Sequence, residues 1–165
     1  MYRLIYIFAV LFSALAVGYS KNVNFGNCKS AFDLHEVHIQ PYEGDSNVCP
    51  LVRGTTVRIT MAFTANREVK EVRAFVFGIL GGMPVPFRID QVDACENSNI
   101  TCPLQPGELY YYSQTVDVLP SFPKVPVVVK WALREKLDAP QKGKKAKPLV
   151  CSLVRCQLVD KNEKR

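Results

Sequence analysis

Apolar and polar residues alternate along several stretches of the chain, which is the period expected of half-buried β-strands. No stretch of useful length shows the 3.6-residue period of a helix. Turn-forming pairs such as Arg53-Gly54, Gly81-Gly82 and Pro106-Gly107 separate the alternating stretches. Short strands at near-regular spacing predict an all-β fold, an antiparallel sandwich or barrel. The predicted strands lie at 37–40, 56–63, 71–80, 110–118, 127–134 and 149–159.

Two segments between these strands, 81–87 and 119–123, are more apolar than loops usually are. Both contain proline, which gives no backbone hydrogen bond to a ladder, so we expect them at the edge or mouth of a sandwich. Apolar side chains at such a rim indicate a ligand entrance or a partner surface. The alternative interpretation is that they only fill the core.

The first residues predict a secretory signal peptide at 1–20. Arg3 precedes an apolar run at 4–17, which ends in small residues near Gly18. The run is shorter than the ~20 residues that span a bilayer as a helix, so a retained anchor is the less favoured alternative. The chain of 165 residues then leaves one domain at 21–160 and a short charged tail at 161–165.

Six cysteines follow this signal peptide, and an even number in an oxidising compartment predicts three disulfides whose pairing stays open. Zinc is the alternative, but Cys-x-x-Cys pairs are absent and the histidines are only His35 and His38, so we expect no metal. Asn99-Ile100-Thr101 is an N-glycosylation sequon. The cysteines are Cys28, Cys49, Cys95, Cys102, Cys151 and Cys156.

The formal net charge of +6 permits contact with anionic surfaces, but no nucleic-acid-binding motif accompanies it. Lys142, Lys144, Lys145 and Lys147 form a basic segment, either a solvated loop or a contact for anionic headgroups. The sequence lacks a Gly-x-Ser-x-Gly elbow, a phosphate-binding glycine loop and a His-Glu-x-x-His motif. We therefore expect neither an enzyme nor a cofactor.

Several motifs together resemble the ML lipid-recognition family over nearly the whole mature chain. The most specific is the run Gly-Ile-Leu-Gly-Gly-Met-Pro-Val-Pro-Phe at 78–87. The resemblance implies an immunoglobulin-like antiparallel β-sandwich, stapled by disulfides, with an apolar cavity between its sheets. The other motifs are Val23 to Cys28, Cys95 to Leu104, Tyr110 to Tyr112, Phe122-Pro123, Val127 to Trp131, and Cys151.

The resemblance also implies a function, that of a non-enzymatic carrier that binds a sterol and transfers it between membranes or to a membrane-bound acceptor. By position, Phe87, Val118 and Phe122 would line the entrance, and Gly81, Gly82 and Met83 would contact the acceptor. The resemblance also implies disulfides between Cys28 and Cys151 and between Cys95 and Cys102. With those four cysteines paired as in the family, we expect Cys49 to bond Cys156. The implied tunnel residues are Ile39, Leu51, Val57, Ile59, Val85, Tyr112, Val116 and Trp131.

Two alternatives use the same fold: an extracellular carrier of fatty acids or semiochemicals, and an innate-immune module that recognises bacterial lipid. The expected location is extracellular, with the lysosomal lumen as the other destination of a secreted carrier. The expected state is a monomer that meets anionic membranes transiently and binds no nucleic acid.

Overall fold

The computed structural model describes residues 20–42, 47–136 and 147–163. Most of the predicted signal peptide and Lys142, Lys144 and Lys145 lie outside the described residues. No helix in these ranges is long and apolar enough to cross a membrane. The strands are β1 (Lys21–Asn22), β2 (Phe25–Asn27), β3 (Asp33–Gln40), β4 (Cys49–Val52), β5 (Thr55–Thr64), β6 (Val72–Leu80), β7 (Met83–Phe87), β8 (Leu109–Val118), β9 (Pro126–Glu135) and β10 (Val150–Val159).

Two sheets make up the fold. The first sheet has the order β1-β3-β5-β8, and the second sheet has the order β2-β10-β9-β6-β7 with β4 paired to β10. All pairs are antiparallel except β4 with β10, which is parallel. The prediction of an all-β antiparallel sandwich is therefore confirmed.

The alternation in sequence places one face of each strand in the core. On β5, Val57, Ile59 and Met61 are buried, whereas Thr56 and Arg58, on either side of Val57, are exposed. Facing residues of the second sheet, such as Trp131 and Leu133 on β9, are buried against this set in one hydrophobic cluster. The apolar sides of the two sheets thus meet and exclude water, which is the main stabilising term of such a sandwich.

The proline-rich segment 81–87 forms a hairpin at an edge of the second sheet. Gly81 and Gly82 have φ angles of +55° and +85°, which suit a tight two-residue turn that glycine adopts without strain. β7 then pairs with β6 alone. Pro84 and Pro86 are tolerated there because an edge strand can leave one row of donors unused.

Two disulfides are present, Cys28–Cys151 and Cys95–Cys102. The expected third bridge is not formed. Cys49 and Cys156 are both free thiols, and both are buried. They face each other in register on β4 and β10, and Cys156 Sγ also lies 3.6 Å from the carbonyl oxygen of Val154. The hydrogen bond with Cys49 and burial raise the pKa of Cys156, which keeps this thiol protonated and poorly nucleophilic.

The chain after β10 turns back onto the domain as far as it is described. Lys161–Glu163 forms a single 3₁₀ turn, and the Glu163 carboxylate lies 2.8 Å from Lys124 Nζ. These residues belong to the short charged tail predicted at 161–165. The charge of Glu163 contacts Lys124 in the loop between β8 and β9.

Candidate functional site

An apolar cavity of about 280 Å³ lies between the two sheets. Most of the lining residues occupy every second position of a strand, because alternate side chains of a strand point to the same face of the sheet. The first sheet contributes Ile39, Val57, Ile59, Val116 and Val118. The second sheet contributes Leu51, Val76, Leu80, Val85, Phe87, Val127, Val129, Trp131, Val154, Cys156 and Leu158.

The cavity exists because side-chain size changes along the strands. On β5, Met61 and Phe63 are fully buried and belong to the packed core, whereas Val57 and Ile59 line the cavity. On β9, Leu133 lies in the packed core and Val129 lines the cavity. Large residues therefore fill one end of the sandwich, and the valine-rich end leaves an unfilled volume.

Two aromatic rings meet at the mouth of the cavity. Phe87 ends β7, and Phe122 lies in the connection 119–125 between β8 and β9, which we call the entrance loop. Their ring centroids are 5.8 Å apart with an interplanar angle of 70°, an edge-to-face contact. The entrance is thus formed by an edge strand of one sheet and a loop that crosses between the sheets.

The surface beside this entrance is apolar and exposed. Met83, the register partner of the lining residue Leu80, is 71% exposed. Val85 is 49% exposed, and Leu119, next to Val118, is 46% exposed. Exposed apolar patches of this kind indicate contact with a membrane, a ligand or a protein partner.

The interior of the cavity carries no charge among the described residues. Arg58 and Asp117 contribute to its boundary, but both are exposed on strands whose neighbouring residues point inward. Thr56 Oγ1 donates to Asp117 Oδ1 at 2.8 Å, and Arg58 Nε lies 3.4 Å from Thr115 Oγ1. A volume lined by apolar groups is poorly hydrated and suits an apolar guest.

Tyr112 is the expected tunnel residue that the structure places elsewhere. It is fully buried and packs beside Trp131, with ring centroids 6.3 Å apart, but it does not line the cavity. Its hydroxyl donates to Gln114, and Gln114 Nε2 donates to the carbonyl oxygen of Gln91 at 2.8 Å. Burial raises the pKa of Tyr112, so this hydroxyl stays neutral in the core.

The other expected tunnel and entrance residues come together around the cavity. The expected acceptor-contact residues, Gly81, Gly82 and Met83, lie in the exposed β6–β7 turn. Asn99 is exposed with φ +67°, and its glycosylation stays a prediction. No group of three or more His, Cys, Asp or Glu side chains in the described ranges is placed to hold a metal.

Sequence reasoning missed several lining residues and one supporting residue. Val76, Val129 and Val154 occupy inward positions of strands whose alternation was visible, so their face could have been found from the period. For Arg53, the sequence indicated only that the residue lies in a turn, and nothing pointed to a contact with the site. It contacts the entrance loop through Phe122, which lies 69 positions away in sequence.

Comparisons with known proteins agree with this geometry. The chain matches the ML domain family over residues 22–157. It is 35% identical over 130 residues to NPC intracellular cholesterol transporter 2 homolog a of Drosophila melanogaster, covering 78% of this chain and 88% of that protein. It is 35% identical over 129 residues to NPC intracellular cholesterol transporter 2 of Bos taurus, covering 77% and 85%.

More distant similarities extend to other proteins. Mite group 2 allergen Tyr p 2 of Tyrophagus putrescentiae is 30% identical over 123 residues, covering 74% of this chain and 84% of the allergen. The fold is similar to that of a Niemann-Pick type C2 protein from the Japanese carpenter ant, with a TM-score of 0.72 and 24% identity over 82% of this chain and 99% of that one. The family match at 22–157 spans β3 to β9 and most of β10, and this chain belongs to the ML domain family.

Proposed function

We propose that this protein is a non-enzymatic carrier that binds one sterol-like lipid in the cavity and transfers it between membranes. The observation that carries the proposal is the uncharged apolar cavity between the sheets, with its mouth between Phe87 and Phe122. The relatives named as intracellular cholesterol transporters at 35% identity support a sterol as the ligand.

The size of the cavity favours a single slender lipid. Its volume of about 280 Å³ lies just below the ~300–1,000 Å³ usual for ligand pockets. A bacterial lipid with several acyl chains would need a much wider space. The size therefore supports a sterol over the innate-immune alternative.

Burial of apolar surface would provide the binding energy. Enclosing ~400 Å² of sterol would contribute about 10 kcal/mol at ~25 cal/mol/Å². The loss of translational and rotational freedom offsets several kcal/mol of this gain. We expect dissociation constants in the nanomolar to micromolar range, with the rings and tail of the sterol inside and its hydroxyl at the mouth.

The exposed hairpin beside the mouth is where we propose that the carrier meets a membrane. Met83 and Val85 would enter the headgroup region, while the net positive charge of the chain would attract anionic lipid. The same turn, with Gly81 and Gly82, would face a membrane-bound sterol acceptor. We propose that the protein acts as a secreted or lysosomal carrier, with Asn99 as its glycosylation site.

Transfer between vesicles tests the proposed function. We expect the purified protein to move a fluorescent sterol from donor to acceptor vesicles at a rate proportional to protein concentration. Anionic lipid in the vesicles should increase this rate, and added salt should reduce the increase. Transfer no faster than the spontaneous rate, with either vesicle composition, would contradict the proposal.

Phe87→Ala should weaken sterol binding at least about tenfold with the fold intact, because the ring closes the mouth and covers apolar ligand surface. The measurement is a fluorescent-sterol titration, with circular dichroism as the check on folding. Tyr111→Ala is the matched control, since Tyr111 is a 49% exposed aromatic residue that does not line the cavity. Equal affinity in the two variants would remove Phe87 from the site.

A further inference from the structure

A cluster of charged side chains lies beneath the entrance loop. Arg53 lies in the turn between β4 and β5, and Asp160 follows the last residue of β10. Arg53 Nε donates to Asp160 Oδ1 at 2.8 Å. Its Nη1 donates to the carbonyl oxygen of Phe122 at 2.8 Å and to that of Pro120 at 3.2 Å. One guanidinium therefore joins three segments that are distant in sequence.

Lys124, on the same loop, contacts the other side of this cluster. Its Nζ lies 3.1 Å from Asp160 Oδ2 and 2.8 Å from Glu163 Oε1. Asp160 thus uses one carboxylate oxygen for Arg53 and the other for Lys124. The entrance loop is held by charged contacts both before and after Phe122.

The loop has few hydrogen bonds of its own to fix its shape. Pro120 and Pro123 have no backbone donor. Within the loop, Phe122 N donates to Leu119 O at 3.2 Å and Val125 N donates to Pro123 O at 3.0 Å. The carbonyl of Phe122 is satisfied by Arg53. Arg53 therefore contributes two side-chain hydrogen bonds to the backbone of this loop, and one of them is at Phe122 itself.

We infer that Arg53 is a positioning residue for the cavity entrance, which holds Phe122 against Phe87 and so limits the rate at which a ligand enters and leaves. The inference rests on the proposed carrier function. A guanidinium suits this role, because its planar fork presents several donors at once, whereas a lysine ammonium is a single compact charge.

The cluster should survive acidification. Hydrogen bonds from Arg53 and Lys124 lower the pKa of Asp160 below its usual range, and those from Lys124 and the Asp160 backbone lower the pKa of Glu163. A carboxylate with a lowered pKa loses its partners only as the pH falls through that lowered value. The entrance contacts would therefore be the same at pH 7 and at pH 5.

The test is the dissociation rate of a bound fluorescent sterol, measured by rapid mixing with excess acceptor vesicles. Arg53→Ala should speed release about tenfold, the factor expected when a hydrogen bond to a charged group is lost. Association should also accelerate, so that the dissociation constant changes less than either rate. Arg53→Lys should not restore the wild-type rates.

Arg67→Ala is the matched control, because Arg67 pairs with Glu135 at 2.6 Å but does not border the cavity. It should leave both rates within about twofold, since an exposed ion pair contributes little. In a Phe122→Ala background, Arg53→Ala should cause no further acceleration. Equal acceleration in both backgrounds would show that Arg53 does not act through Phe122 and would overturn the inference.

Hydrogen exchange of residues 119–125 gives a readout that needs no ligand. Exchange there should rise in Arg53→Ala and stay unchanged in Arg67→Ala. If the wild-type protein binds no sterol, the proposed function fails while this readout still decides the role of Arg53. If sterol binds but Arg53→Ala matches Arg67→Ala in release and exchange, the role of Arg53 is wrong and the carrier function stands.

Discussion

Val129→Trp should reduce sterol affinity at least about a hundredfold, equivalent to ~2.7 kcal/mol, while the protein stays folded. Val129 lies on β9 and its side chain borders the cavity, so an indole at this position would occupy volume that the ligand needs. Filling an existing cavity is seldom destabilising, and we expect the midpoint of thermal unfolding to stay the same or rise. A sterol titration and a thermal unfolding curve measure the two effects.

The neighbouring residue provides the control for this prediction. Val128 lies on the same strand with its side chain on the opposite face, in register with Ile79 and Arg155, and it does not line the cavity. Val128→Trp should therefore change the affinity by no more than about twofold. Sterol binding by Val129→Trp at wild-type affinity would mean that the ligand site lies outside the cavity.

Removal of the Cys28–Cys151 disulfide should lower the free energy of unfolding by roughly 4–5 kcal/mol, through the chain entropy of the unfolded state. The bridge links residues 123 positions apart, at β10 and the segment after β2. Cys28→Ala with Cys151→Ala should unfold at much lower urea concentration than the wild type. Equilibrium unfolding followed by tryptophan fluorescence gives the difference.

The second disulfide is the comparison for the first. Cys95 and Cys102 are only 7 positions apart, so their bridge closes a short loop and its loss should cost roughly 2–3 kcal/mol. Both double variants retain the buried thiols Cys49 and Cys156, and each retains the disulfide that the other lacks. A loss as large from the short bridge as from the long one would contradict the chain-entropy account.

The long strands could be predicted from the sequence because their inward and outward residues alternate. β5, β8, β9 and β10 each run for 10 residues, enough for the period of two to stand out. β1 and β2 have 2 and 3 residues, which is too short for any period to appear. Their pairing depends on β3 and β10, which are distant in sequence.

The candidate site could be predicted only in part, because an alternating pattern identifies a face and not a depth along the strand. Tyr112 lies on the same face of β8 as Val116 and Val118, yet it is in the packed core beside Trp131. The individual tunnel residues came from the family resemblance rather than from the pattern. Cys49 and Cys156 were expected to form a disulfide. They are paired in strand register, but both remain free thiols.

Arg53 and Asp160 could not be paired from the sequence, where they are separated by 107 positions. Each lies in a polar turn, where charged residues are usually solvated. Their contact forms only because the β4–β5 turn and the end of β10 are adjacent in the second sheet. Long-range polar contacts of this kind depend on the completed fold.

A fluorescent-sterol titration of the purified protein, competed separately with cholesterol and with oleate, tests the central claim most directly. We predict saturable binding of one sterol per chain, displaced by cholesterol and not by oleate at the same concentration, at both pH 7 and pH 5. Displacement by oleate alone would assign the cavity to fatty acids. The absence of saturable sterol binding at both pH values would contradict the account.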